Sequence, residues 1–170
     1  MADNPNRKLT PTSYIVLGLL DMCGEATPYD LKGMVAASLG NFWSVQHAQL
    51  YTETARLAED GLLSERREED GRRRKLYSLT DAGRQALADW RAESTRDLYE
   101  LRDLGLLKLF FGADPAAIAP EQLAAHRAKL AEYEGLVAEA EGLAPSGPRL
   151  ALESGIEHER VYVEFWERLA

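Results

Sequence analysis

The chain has 170 residues, 45% of them hydrophobic, and 20 Lys and Arg stand against 28 Asp and Glu for a formal charge of −8. That is enough apolar material for one domain of ordinary size, or a small domain with an appendage, and the single cysteine, Cys23, excludes an internal disulfide and any cysteine-rich zinc site. The acid excess argues against a nucleic-acid binder only as a sum: residues 1–90 hold 11 basic and 13 acidic side chains, and residues 91–170 hold 9 and 15, so the excess sits mostly in the second half.

The N-terminus, Met1 to Lys8, has no apolar stretch of the kind a signal peptide needs. Thr10-Pro11 announces the first helix, a threonine cap followed by proline at the first helical position. Its body, Ser13 to Cys23, is apolar almost all round, so it should be buried on several sides. Cys23 is expected as a small buried core residue. Gly24 stops the helix. The longest apolar run, Tyr14 to Leu20, is too short to span a bilayer. A cytoplasmic protein is the expectation.

Thr27-Pro28 starts a second helix, with Asp30 placed to help cap it. It runs to about Ser38 and carries Leu31, Met34 and Val35 on one side. After Gly40 comes an aromatic connector, Asn41-Phe42-Trp43-Ser44. Ser44 is the expected cap of a third helix, Val45 to Asp60, closed by Gly61. On its wheel Leu50, Thr54 and Leu57 share one face. Ala48, Gln49, Thr52 and Arg56 lie opposite, with Gln46, His47 and Tyr51 along the flanks.

The period then becomes strand-like. Leu62 to Arg67 reads as one strand and Arg72 to Leu79 as its return, with Tyr77 and Leu79 on one face. Asp70-Gly71 between them is a hairpin turn signal, because a type I′ turn needs positive φ at both central residues. The tightest basic run of the chain, Arg72-Arg73-Arg74-Lys75, follows that turn directly. Thr80-Asp81 caps a fourth helix carrying Leu87 and Trp90.

From there the chain reads as helical to its end. Residues 97–111 hold Leu98, Leu101, Leu104, Leu107, Leu109, Phe110 and Phe111, and Gly112 to Pro115 breaks that helix. Pro120 to Gly142 carries a stripe at Leu123, Leu130, Tyr133 and Val137. Ala144 to Pro148 is a linker. The last helix, about Leu150 to Leu169, carries Leu152, Ile156, Val163 and Trp166.

Three helices followed by a basic hairpin have a physical use. A helix fits the major groove of B-DNA and reads base edges. Gln46, His47, Gln49 and Thr52 can donate and accept there, and the Tyr51 hydroxyl can bond a phosphate. A cationic hairpin beside the helix clamps the backbone or minor groove. Glu68-Glu69-Asp70 is an awkward neighbour for DNA that either orients the arginines or weakens binding.

These segments resemble the PadR family of transcriptional regulators. Leu9 to Leu20 is similar to the family's opening, and Thr27-Pro28-Tyr29-Asp30-Leu31 to its second-helix start. Phe42-Trp43-Ser44-Val45 and Gln49-Leu50-Tyr51 resemble its recognition helix, and Leu57 to Leu62 the exit from it. Gly71 to Arg84 resembles the wing and the helix after it. Leu107 to Gly112 and Ala125-His126-Arg127 resemble the helical C-terminal domain of the longer subfamily. Departures are Pro28, where Gly or His is frequent, and His47 and Thr52, where basic residues are common.

The resemblance implies a mainly α fold with a small two-stranded β-wing: a winged helix-turn-helix DNA-binding domain over residues 1–91 and an α-helical dimerisation or effector domain over residues 92–170. It implies a homodimer on a pseudo-palindromic double-stranded DNA operator, usually as a repressor, with release by a small-molecule effector as a mode of control. The expected DNA-contacting residues are Tyr29, Gln46, His47, Gln49, Tyr51, Thr52, Arg72, Arg73, Arg74 and Lys75. Trp43, Phe110, Phe111, Tyr162 and Trp166 are effector-pocket candidates, against the plainer reading of core or interface.

No cofactor and no metal is expected. His126 and His158, with Glu157 and Glu159, lack ligand spacing. No Gly-rich phosphate loop, GxSxG or nucleophile–base constellation supports an enzyme. The alternative from another class is a winged-helix protein-interaction adaptor, which the acidic net charge suits.

Overall fold

The computed structural model describes residues 8–68, 73–139 and 146–170. The expected Asp70-Gly71 turn and Arg72 lie outside them. The chain divides into two compact units, residues 1–96 and 97–170.

Helix α1, Pro11–Cys23, begins behind Thr10 in a capping box. The Ser13 hydroxyl accepts from the Thr10 N–H at 2.7 Å, and the Thr10 hydroxyl accepts from the Ser13 N–H at 3.4 Å. Two donors that the helix cannot pair internally are thereby satisfied. Gly24 turns the chain out at φ +82°. Cys23 is exposed rather than buried, because the buried stripe of α1 ends one turn earlier at Leu20. Glu25–Ala26 form strand β1, and α2, Pro28–Ala37, starts behind Thr27 with a second capping box closed by Asp30.

A 3₁₀ turn, Leu39–Asn41, follows. Helix α3 is His47–Glu59, with Gln46 at the cap position and no side-chain cap. It starts later than the Ser44 reading expects. Val45 packs onto the core from a stretch with no helical geometry, so the chain turns helical only after it. Strands β2, Leu63–Arg67, and β3, Lys75–Leu79, pair antiparallel from Leu63↔Leu79 to Arg67↔Lys75. Strand β1 adds to the other edge of β3, at Glu25↔Ser78 and Ala26↔Tyr77. The wing is thus the free end of a three-stranded sheet.

Helix α4, Asp81–Ala92, is capped by Thr80. Gly83 sits against the exit of α3: a Cβ there would stand 2.1 Å from the Leu62 carbonyl oxygen. Trp90 stacks flat on Tyr14, rings 4.6 Å apart and 8° from parallel. The core between these elements is Val16, Leu17, Leu20, Leu31, Leu50, Leu57, Tyr77 and Leu87 with their neighbours. Each fully buried leucine contributes about 1.5–3 kcal/mol, and the buried face of α3 is the Leu50, Thr54, Leu57 face that the wheel identified.

The second unit corrects the long helix expected over 97–111. Helix α5 is only Leu104–Phe110. Asp103 sets its start by accepting from the Leu106 N–H at 3.0 Å, an N-cap bond that competes with helix on its own N-terminal side. Helix α6, Pro115–Glu139, runs through Pro120, where the sequence pattern placed a start. Helix α7, Gly147–Glu167, begins inside the expected linker, with its proline in the first turn, where a missing N–H costs nothing. The two long helices form an antiparallel hairpin: Tyr133 faces Gly155, and Ala119 and Leu123 join Trp166 in a small core. No helix among the described residues is long and apolar enough to cross a membrane.

Candidate nucleic-acid interface

Helix α3 is held at a fixed attitude by polar contacts as well as by its leucines. The Thr54 hydroxyl donates to the Leu50 carbonyl at 2.6 Å and is fully buried. Arg56, placed on the outward face by the wheel, turns inward instead. Its Nη2 donates to the buried Ser13 hydroxyl of α1 at 3.1 Å, its Nε to Glu53 at 3.0 Å, and its Nη1 to Asp60 at 2.7 Å. Ser13 also donates to Glu53. The hydrogen bonds to Glu53 hold the Arg56 guanidinium above its ordinary pKa. An Arg so committed does not face outward, and this sharpens the expected surface.

What α3 does present outward is Gln46, His47, Ala48, Gln49, Tyr51 and Thr52, all exposed. Tyr51 is 46% exposed and Tyr29, at the start of α2, 70%. The Thr52 hydroxyl donates back to the Ala48 carbonyl at 3.1 Å, which leaves its lone pairs to accept. Unlike α1, α2 and α4, α3 starts with no side-chain cap. Unpaired first-turn N–H groups carry partial positive charge and suit a phosphate oxygen.

The wing is more nearly neutral than its sequence suggests. Arg73, Arg74 and Lys75 are exposed, and Arg73 sits at φ +50°, in the left-handed region. Arg74 is gripped by Glu68 through two bonds, Nε to Oε2 at 3.0 Å and Nη2 to Oε1 at 2.8 Å. Lys75 reaches Glu65 at 2.9 Å. The same Glu65 accepts from the buried Tyr77 hydroxyl at 3.0 Å. The bond from Lys75 holds the Glu65 carboxyl low, and Arg74 does the same to Glu68. On the sheet face opposite Glu65, Arg66 bonds Glu25 at 2.5 Å. The acids beside the wing are visible in the sequence, but their pairing is not. Pairing needs the strand register, which sets Glu68 opposite Arg74 one step beyond Arg67↔Lys75.

The effector candidates do not share one environment. Trp43 lies in the first unit and is 44% exposed. Phe110 and Phe111 are exposed and meet edge to face at 5.2 Å. Phe111 also lines an open apolar depression of about 430 Å³ with Leu104, Leu107 and Lys108. Trp166 is fully buried, and its indole N–H has no hydrogen-bond partner among the described residues. Tyr162 lies between two histidines, 4.8 Å from His126 and 4.6 Å from His158, and burial raises its hydroxyl pKa. His126 Nδ1 contacts Glu159 at 2.6 Å. This stack went unseen because its members come from two helices whose alignment is not in the local pattern. No group of three or more His, Cys, Asp or Glu that could hold a metal lies among the described residues.

Comparison with known proteins bears on both units. The Transcriptional regulator PadR-like family matches residues 16–89, and the Virulence activator alpha C-term family matches residues 101–170. The negative transcriptional regulator PadR of Bacillus subtilis is 33% identical over 171 residues, covering 92% of this chain and 93% of that protein. The crystal structure of Bacillus subtilis PadR with operator DNA superposes with a TM-score of 0.82 at 29% identity, over 96% of this chain and 98% of that one. The crystal structure of the same protein with p-coumaric acid gives 0.77 at 30% identity, over 92% and 95%. With three helices leading into a wing and a fourth after it in the first unit, this chain has the winged helix-turn-helix fold and belongs to the PadR-like family of transcriptional regulators.

Proposed function

We propose that the chain is a sequence-specific DNA-binding repressor that acts as a homodimer on a pseudo-palindromic operator. The carrying observation is the polar, uncapped outer face of α3 beside a cationic wing, both on a packed core. In this reading Gln46, His47, Gln49 and Thr52 address base edges. Tyr29, Tyr51 and Arg72 to Lys75 address phosphates. Residues 1–91 bind DNA and residues 92–170 pair two copies. Operator DNA bound to the Bacillus subtilis relative supports the reading.

One winged unit makes few phosphate contacts. Two units about one DNA turn apart bind more tightly and read a palindrome. The surface of the second unit suits pairing: Leu98, Leu104, Phe110 and Phe111 are each more than 60% exposed. A second copy would cover such apolar area. A small aromatic effector is the proposed release signal. The p-coumaric acid complex of the relative supports it, and of the five aromatic candidates Phe111 lines the apolar depression of the second unit.

A gel shift across a salt series tests this, with DNA from upstream of the chain's own gene. Affinity should fall steeply with salt and be lost when Arg72, Arg73 and Arg74 are changed together to Ala. Salt-independent or absent binding would favour the protein-interaction adaptor instead.

A further inference from the structure

The wing pairs its cations with its own acids in a pattern set by strand register. Glu68 and Arg74 are cross-strand neighbours: the Glu68 N–H donates to the Arg74 carbonyl at 3.0 Å. The guanidinium then lies in a two-point fork on the Glu68 carboxylate. That fork is the geometry in which arginine binds a phosphate. Arg74 has 56% of its side chain exposed, and the half-buried Glu68 22%. The exposed guanidinium is therefore open to exchange of its partner with an anion from solution. Lys75 is similarly occupied by Glu65, but Glu65 also holds Tyr77, so that acid has a second task. Glu68 bonds no side chain but that of Arg74 among the described residues, and its Oε2 also accepts from the Arg74 backbone N–H at 3.4 Å.

Resting on the DNA-binding reading above, we infer that Glu68 is an internal competitor for the DNA phosphate at Arg74, and so sets the affinity of the wing. When the wing meets DNA, a phosphate oxygen pair replaces the Glu68 carboxylate on the guanidinium. The displaced carboxylate is left beside the DNA backbone, and both effects weaken binding on any sequence. The chain thereby keeps four adjacent cations from adhering to DNA at large, while α3 supplies discrimination.

The test is a double-mutant cycle on the full-length protein. The probe is a fluorescent 30-base-pair duplex of random sequence, at low and at physiological salt, because phosphate contacts do not depend on sequence. Glu68→Gln should tighten binding about two- to fivefold at low salt, the span an exposed ion pair covers, with a smaller gain at high salt. Arg74→Ala should weaken binding, and Glu68→Gln should tighten it clearly less in the Arg74→Ala background, where only the charge beside the backbone is removed. Thermal melts of all variants should agree with wild type. If Glu68→Gln tightens binding equally in both backgrounds, the acid acts only through long-range charge and the competition is overturned. If Arg74→Ala weakens binding while Glu68→Gln changes nothing, the competition fails and the wing reading stands. If Arg74→Ala itself changes nothing, the wing does not touch phosphate, and both fall.

Discussion

Arg56 on α3 donates to the buried Ser13 hydroxyl on α1 across 43 positions of sequence, at 3.1 Å. The same guanidinium holds Glu53 and Asp60. The helix expected to read DNA is thus pinned to the helix that anchors the core, by a network of the buried Ser13, the half-buried Glu53 and Arg56, and the exposed Asp60. Changing Arg56→Ala takes the guanidinium from the Glu53 carboxylate, whose side chain is only 13% exposed, and leaves it the Ser13 hydroxyl. A loss of about 1–3 kcal/mol is expected. Urea denaturation reads it, and an unchanged midpoint would show the network to be ornamental.

Gly83 is the second tight point. Its missing side chain lets α4 approach the Leu62 carbonyl, where a Cβ would stand at 2.1 Å. Because the obstacle is backbone, it cannot swing aside. Gly83→Ala should cost about 1–3 kcal/mol or more and move the wing relative to α3. A melting curve reads the first effect, and a Gly83→Ala protein as stable as wild type would contradict it.

Alkaline titration gives a third expectation. Burial, and then the hydrogen bond to Glu65, push the Tyr77 hydroxyl up to about 12, against about 10 for a free tyrosine. The fold favours the neutral phenol. The stability it contributes is fully present below about pH 10 and is lost as pH rises towards 12. Burial also raises Tyr14, Tyr133 and Tyr162, so the informative quantity is a difference. Thermal melts between pH 9 and 12 should fall less steeply for Tyr77→Phe than for wild type. Parallel curves would sink the assignment.

On DNA, the two kinds of contact should separate. Gln49→Ala should reduce the preference for the cognate site over unrelated DNA by about 1–3 kcal/mol, with the salt slope unchanged. Lys75→Ala should weaken all sequences alike and lower the slope by about 1. Fluorescence anisotropy on a cognate and a scrambled duplex distinguishes them. The assignment of readout to α3 fails if Gln49→Ala weakens both duplexes equally.

What the sequence made legible is what local chemistry decides. Thr10-Pro11, Thr27-Pro28 and Thr80-Asp81 each mark a helix start, because cap bonds span only three residues. The Leu50, Thr54, Leu57 face follows from helical period alone. Strand β1 was not legible, since two residues carry no alternation and their pairing with β3 is settled by tertiary approach. The inward turn of Arg56 and the wing's ion pairs need partners 43 and 6 positions away. Leucine density over 97–111 suggested a helix longer than α5, but Asp103 caps late, and many of those leucines are exposed. Their exposure is the strongest internal argument for pairing.

The most direct test of the central claim is selection of bound duplexes from a random DNA pool by the full-length protein, followed by sequencing. The expected result is an enriched motif with two-fold symmetry, its half-sites centred about one helical turn, roughly 10 base pairs, apart. A pool that emerges without sequence enrichment, or with one undivided asymmetric site, would contradict it.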